Sequence, residues 1–499
     1  MSKDSLGIKA GRAALWQILG GGWQTLVRLG ASVFLARALK PSDFGLFGMA
    51  LLYQELMVSA LSLGFGTGLI VKKYLSDEDL STSFWMSCII RLILFSIIFF
   101  SAPLAGKLWN NPRVIPIIRI ISLTLLIQLI SLVPGTLAIK NLKFLKINII
   151  HGISILLESL VAILLAFFAN LACWALVVGM LVNAIFYNIC LWVSEGFWLP
   201  KLVLRRNAFK YLFRYGIYTW AFSVTNYLKQ NIDYFMVGRM LGSYQLGLYE
   251  FAYRIPHLVF SRISQPVGAV IFPALSKIKD NNERIFAGYV KTVKFVTLVA
   301  FPVLFGLAAV ADILVPVLWG NQWLPIVRPL QILSFCAAMR CLFQPMGSIF
   351  YCKNRPDIPF KVSVLTLIFT AIFVSVLGYF YGLVGVAIGM LLSVFPSFFV
   401  LWFAFRFMLK VSLFDFFKVL YPIVFSSLLC AISAYYAIRI FLAFHFDVKI
   451  ILALAIFLGA LVYVLSLFFL FPAIVKELLE NVNMIFGNKF LASKANKVV

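Results

Sequence analysis

LARALKPSDFGLFGMA (35–50) is a short polar elbow between two long apolar runs, and it returns about 202 residues later as VGRMLGSYQLGLYEFA (237–252). At that offset Arg37 falls on Arg239, Leu39 on Leu241, Gly45 on Gly247, Leu46 on Leu248 and Ala50 on Ala252; further on, Gly66 falls on Gly268. An elbow flanked by runs of roughly 20 apolar residues reads as a hairpin of membrane-spanning helices. Its return implies an internal repeat. Both copies are expected to start on the same side of the membrane, which is a parallel repeat of the kind found in transporters.

The rest of the chain fits that frame. Hydrophobic residues make up 63% of the 499 and charged residues 12%, and the mean hydropathy is +0.99. Soluble domains run at about 45–50% apolar and about 25% charged, so a chain this apolar needs the bilayer as its solvent. Taking about 20 apolar residues per crossing, we expect an all-α polytopic membrane protein of about fourteen spans. They lie near 14–37, 44–68, 82–104, 114–135, 148–169, 171–193, 213–240, 245–274, 290–314, 326–350, 360–380, 382–405, 417–442 and 449–472. The expected organisation is a six-helix lobe (1–194), a cytoplasmic linker (195–212), a second six-helix lobe (213–405), an added helix pair (406–472) and an amphipathic, basic cytoplasmic tail (473–499).

Loop charges set the orientation. The net charge is +25, but the basic residues sit in short clusters between apolar runs, which suits anionic lipid rather than nucleic acid. With a cytoplasmic N-terminus, the inside segments hold clusters such as Lys72 and Lys73; Lys140, Lys143 and Lys146; and Lys201, Arg205, Arg206, Lys210 and Arg214. The other side has Arg37, Lys40, Lys107, Arg113, Arg239, Arg328 and Lys449. Roughly 27 basic residues against about 7 put both termini in the cytoplasm by the positive-inside rule. The first apolar run is too long for a signal-peptide core. The seven cysteines and three histidines show no metal or disulfide spacing.

Charges inside the spans are the candidates for function, because a charge near mid-bilayer is expensive and faces a partner or water. Arg28, Arg91, Lys229, Arg254 and Arg340 are the candidate substrate-binding cations, and Glu55, Glu158, Asp233 and His257 the candidate carriers for H+ or Na+ coupling. By the repeat, Arg28 corresponds to Gln230, beside Lys229, and Glu55 to His257. The excess of cations suits an anionic substrate such as a pyrophosphate, whose oxygens the guanidinium fork matches. Pairing within one helix is the competing explanation for Lys229 with Asp233 and for Glu250 with Arg254, each spaced i, i+4. No catalytic motif, metal site or resident cofactor is expected.

SVFLARALKPSDFGLFGMA (32–50), NIDYFMVGRMLGSYQLGLYEFAYRIP (231–256) and VGAVIFPALSKIKDNNER (267–284) resemble Wzx-type polysaccharide flippases. The resemblance is to the branch associated with colanic acid, teichuronic acid and other exopolysaccharides, within the superfamily that also holds multidrug extruders and the lipid II flippase. It covers nearly the whole chain. It implies movement of an undecaprenyl-pyrophosphate-linked oligosaccharide across a bacterial inner membrane by alternating access, with a glycan polymerase and export machinery as partners. An antiporter for cationic drugs would favour an acidic or aromatic site. A membrane glycan polymerase or ligase would usually carry a large outer loop, and the outer loops here are short.

Overall fold

The computed structural model describes residues 3–61, 76–203, 206–278, 280–409, 413–476 and 480. Outside these fall the end of the second expected span, Gly66, Lys72, Lys73, Arg205, Lys279, Lys410 and most of the tail.

Fourteen α-helices carry the described chain: α1 (Lys3–Ala38), α2 (Pro41–Leu61), α3 (Asp77–Leu108), α4 (Val114–Ile127), α5 (Leu132–Lys140), α6 (Phe144–Phe168), α7 (Cys173–Ser194), α8 (Arg206–Val259), α9 (Gln265–Ser276), α10 (Asn282–Trp319), α11 (Val327–Cys352), α12 (Asp357–Leu409), α13 (Leu413–Ala443) and α14 (Val448–Leu470). A π-turn, Phe260–Ser264, joins α8 to α9. The all-α membrane fold is as expected. Eight described helices are each long and apolar enough to cross a bilayer, or nine crossings if one bent pair counts as a span. Asp357–Met408 of the 53-residue α12, which covers two of the expected spans, enters that tally once.

Two long helices hide elbows. α8 turns at Gly242 (φ 82°) and α12 at Gly382 (φ 57°). Both backbones lie in the left-handed region that glycine enters without a Cβ clash. Polar residues fix several helix starts. Ser76 and Asp79 form a reciprocal capping box on α3, and the Asn281 side chain accepts from Arg284 N on α10. The fourth expected span departs from a straight rod: α4 and α5 meet at 58° across residues 128–131.

The chain forms two compact units, Met1–Glu250 with Gly378–Leu383, and Phe251–Leu377 with Val384–Val499. In the first, α6 packs on α1 and α7, and α4 packs on α2, α3 and α7. In the second, α10 packs on α11 and α13, and α13 on α14, around a core that includes Tyr289, Phe301, Phe350 and Phe405. Small residues allow close approach within these packs. A Cβ on Gly179 of α7 would lie 2.9 Å from the Glu158 carbonyl of α6, and one on Gly389 would lie 2.7 Å from the Phe373 carbonyl.

Contacts between connecting segments join ones that the charge count puts on one side. Lys143 and Lys146 meet Glu195 at 2.8 and 3.1 Å, Lys201 meets Asp77 at 2.8 Å, and Lys353 donates to Asn282 at 2.7 Å. The segment after α7 is strapped onto α3: Lys201 N donates to Ser81 Oγ, and Trp85 Nε1 donates to the Lys201 carbonyl.

Candidate functional site

The intramembrane charges fall into separate groups. In the first unit, Arg28 of α1 reaches Glu158 of α6 at 3.8 Å, with side chains 60% and 28% exposed. Glu158 also accepts a 2.8 Å hydrogen bond from Asn183 Nδ2 of α7. Three helices thus converge on one carboxylate, and the arginine stands at the open side of the group. A polar ladder extends it along the same pair of helices, with Asn148 bonded to Gln17 and accepting from Gln24.

Arg91 of α3 is placed differently. Its Nη1 donates to the Leu125 carbonyl (3.1 Å) and to Gln128 Oε1 (3.0 Å), at the end of α4 where the span breaks. The last carbonyls of a helix lack partners within it, and a guanidinium supplies donors and a charge of the right sign. On the other side of the break, Ser131 donates to Asn188 of α7. The bend is therefore held by polar groups from two neighbouring helices.

Asp233 of α8 is 2% exposed and accepts from Tyr249 Oη at 2.6 Å, across the Gly242 elbow. Lys229 lies one turn before it and is half-buried. Glu55 is exposed on α2, one turn from Leu52, whose carbonyl accepts from Tyr227 Oη at 2.8 Å.

In the second unit, Arg340 of α11 donates to Tyr253 Oη and lies 4.6 Å over the Phe260 ring. His257 stacks on Tyr253 at 5.1 Å, and its Nδ1 is buried with no hydrogen-bond partner. Arginine, tyrosine and histidine so come together beside the π-turn, a distortion frequent at functional sites. Arg254 points elsewhere, 4.6 Å over the Phe251 ring. That aromatic ring is itself fully buried against Trp319 and Trp323.

Arg119, Lys294 and Arg439 also lie inside expected spans and are not among the candidate cations. Arg119 sits in VIPIIRIIS (114–122), lies 5.1 Å over Phe99 and donates Nε to the Phe99 carbonyl. The signal was the same as for Arg91, a lone arginine in an apolar run. No group of three or more metal-ligating side chains occurs among the described residues.

Residues 34–328 match the family described as polysaccharide biosynthesis protein. The chain belongs to that family. The chain is 28% identical over 359 residues to the lipopolysaccharide biosynthesis protein WzxC of Escherichia coli (strain K12), a match that covers 72% of this chain and 73% of that one. It is 30% identical over 301 residues to the teichuronic acid biosynthesis protein TuaB of Bacillus subtilis (strain 168), covering 60% and 62%. Among solved structures, the lipid II flippase MurJ in an inward closed conformation superposes with a TM-score of 0.75 at 15% identity, over 93% of this chain and all of that one. An inward-facing multidrug resistance MATE transporter of the MOP superfamily gives 0.55 at 16% identity, over 78% and 96%. This polysaccharide biosynthesis protein therefore shares its fold with both, and MurJ aligns over more of it.

Proposed function

We propose that this protein flips undecaprenyl-pyrophosphate-linked oligosaccharide repeat units from the cytoplasmic to the outer leaflet of a bacterial inner membrane, for exopolysaccharide or lipopolysaccharide synthesis. It works by alternating access of its two repeats, with both termini in the cytoplasm. Family membership supports the glycan class, and the MurJ-like fold supports a lipid-linked cargo. The observation that carries the reading is the set of arginines held inside the spans, above all Arg28 and Arg340. Their guanidinium groups lie within the apolar stretch of the helices, where a charge without a purpose is selected against by its own desolvation. A pyrophosphate crossing the bilayer needs such groups along its path, since its charges cannot shed water without replacement donors.

Coupling to H+ or Na+ is part of the same proposal. Glu158, set against Arg28, and Asp233, bonded to Tyr249, are carboxylates on helices that carry or neighbour the cations. Glu55 and His257 complete the candidates. A polymerase and export machinery receive the flipped unit.

The test is leaflet exchange of a fluorescent polyprenyl-pyrophosphate-saccharide in proteoliposomes. Losing a hydrogen bond to a charged group weakens binding by about 1.5–3 kcal/mol, so Arg28→Ala and Arg340→Ala should each slow exchange by about ten- to hundredfold. Arg340→Lys keeps the charge and should fall between. Efflux of an organic cation with no lipid exchange would instead establish the antiporter reading.

A further inference from the structure

The two copies of the repeated elbow, 35–50 and 237–252, meet in space. A Cβ placed on Gly45 would lie 1.7 Å from the Ser243 carbonyl oxygen, and one on Gly247 would lie 1.8 Å from the Pro41 carbonyl oxygen. Those four residues are two pairs of repeat mates, since 41 corresponds to 243 and 45 to 247. Each glycine also faces its own mate: the two Cβ positions would lie 3.0 Å from Gly247 N and 3.1 Å from Gly45 N. One turn on, a Cβ on Gly48 would lie 3.5 Å from Oε2 of Glu250, again its mate at the same offset. Residues that touch their own equivalents lie on a pseudo-twofold axis. The axis of the repeat therefore passes between Gly45 and Gly247.

At this crossing backbone lies on backbone, with no side chain between. Trp109, in the elbow between α3 and α4, reinforces it. Its ring stacks on Phe235 of α8 at 5.8 Å, sits edge-on to Tyr53 of α2 at 6.3 Å, and would clash at 2.8 Å with a Cβ on Gly238. The elbows at 39–43, 109–113 and 241–244 are all ones that the charge count assigns to the outer side. The close approaches of Gly179 to Glu158 and of Gly389 to Phe373 join neighbouring helices within one repeat. The Gly45–Gly247 contact joins one repeat to the other.

We propose that the Gly45–Gly247 crossing, backed by Trp109 on Phe235, is the outer gate of the transport cycle, closed in this structure. The inference rests on the flippase reading for its direction but not for its existence. Movement of one repeat against the other must separate residues on their common axis at the end that opens. A dry backbone contact there excludes water and substrate in the closed state and leaves no side chain to rearrange. Glycine is required at 45 and 247 because closure brings a carbonyl oxygen to where a Cβ would be.

The test uses the full chain with its native cysteines replaced. Met49, fully buried one turn inside the crossing, is changed to Cys and labelled in intact cells with a membrane-impermeant maleimide. Gly45→Ala and Gly247→Ala should each speed labelling by about tenfold or more by disfavouring closure. In a second arm, Gly48→Cys with Glu250→Cys is joined by a short reducible thiosulfonate linker; flipping should stop and return on reduction. Equal labelling rates in folded glycine variants would overturn the proposal, as would a linked protein that still flips. If the alanine variants do not fold, the linked pair decides. Labelling needs no substrate, so a gate that responds while no lipid-linked saccharide moves would retain this inference and reject the proposed cargo.

Discussion

Arg91 and Arg340 look alike as isolated cations in apolar runs. Arg91 ends on the carbonyl of a broken helix, and Arg340 on a tyrosine 87 residues away in sequence. Neither partner is legible, because both arise from tertiary packing rather than helical spacing. The difference predicts different phenotypes. Arg91→Leu leaves the Leu125 carbonyl and the Gln128 side chain without their donor and should destabilise the protein by about 1–3 kcal/mol, read as a lowered midpoint in detergent unfolding. Arg91→Lys should recover part of that. A variant with wild-type stability but no flipping would show instead that Arg91 meets the substrate. At Arg340, Tyr253→Phe removes the hydroxyl and keeps the ring; it should slow exchange by less than Arg340→Ala does, since the guanidinium remains on Phe260.

Elements follow the apolar runs closely, and the exceptions have local causes. In the run at 114–135 the sign of a break is Pro134, which falls in the first turn of α5 where a proline is tolerated; Gln128 to Ser131 themselves lie between apolar residues on both sides. Arg91 and Asn188 hold the bend with polar contacts from other helices, and those partners are not visible in the run itself. At the other extreme, the ends of α6 and α7 are pinned by a cluster whose members are visible in sequence but whose contact is not. The Glu195 side chain is 6% exposed and sits between Lys143 and Lys146. Burial opposes its ionisation, but the hydrogen bonds and charges of the two lysines outweigh that and hold its pKa below the ordinary 4.5. A carboxylate with a depressed folded pKa adds stability that is complete above its unfolded pKa and is lost as pH falls through the folded one. Thermal stability should therefore decline as pH drops below the ordinary carboxylate range, and Glu195→Gln should lower stability at pH 7 while flattening that decline. An unchanged pH profile in Glu195→Gln would show that the Lys143–Glu195–Lys146 contacts do not set this stability.

For the whole molecule, alternating loop charge was the most informative feature, because it depends on the parity of the spans and not on any one boundary. A missed or added span would reverse the side of every later loop. The cross-loop contacts Lys143–Glu195, Lys201–Asp77 and Lys353–Asn282 agree with that parity, and so does the meeting of the outer elbows at Gly45 and Gly247. Orientation is a separate quantity, set by lysine and arginine near the membrane faces during insertion. It is tested with Asn110→Cys, in the elbow beside Lys107 and Arg113, and Asn141→Cys, beside Lys140 and Lys143, each alone in a cysteine-free chain. Both residues are exposed, so access depends on the side of the membrane alone. In intact cells an impermeant maleimide should label position 110 and leave 141 unmodified until the membrane is opened. The reverse pattern would invert the protein, place the glycine crossing at the cytoplasmic face, and require the cargo to enter where the present reading has it leave.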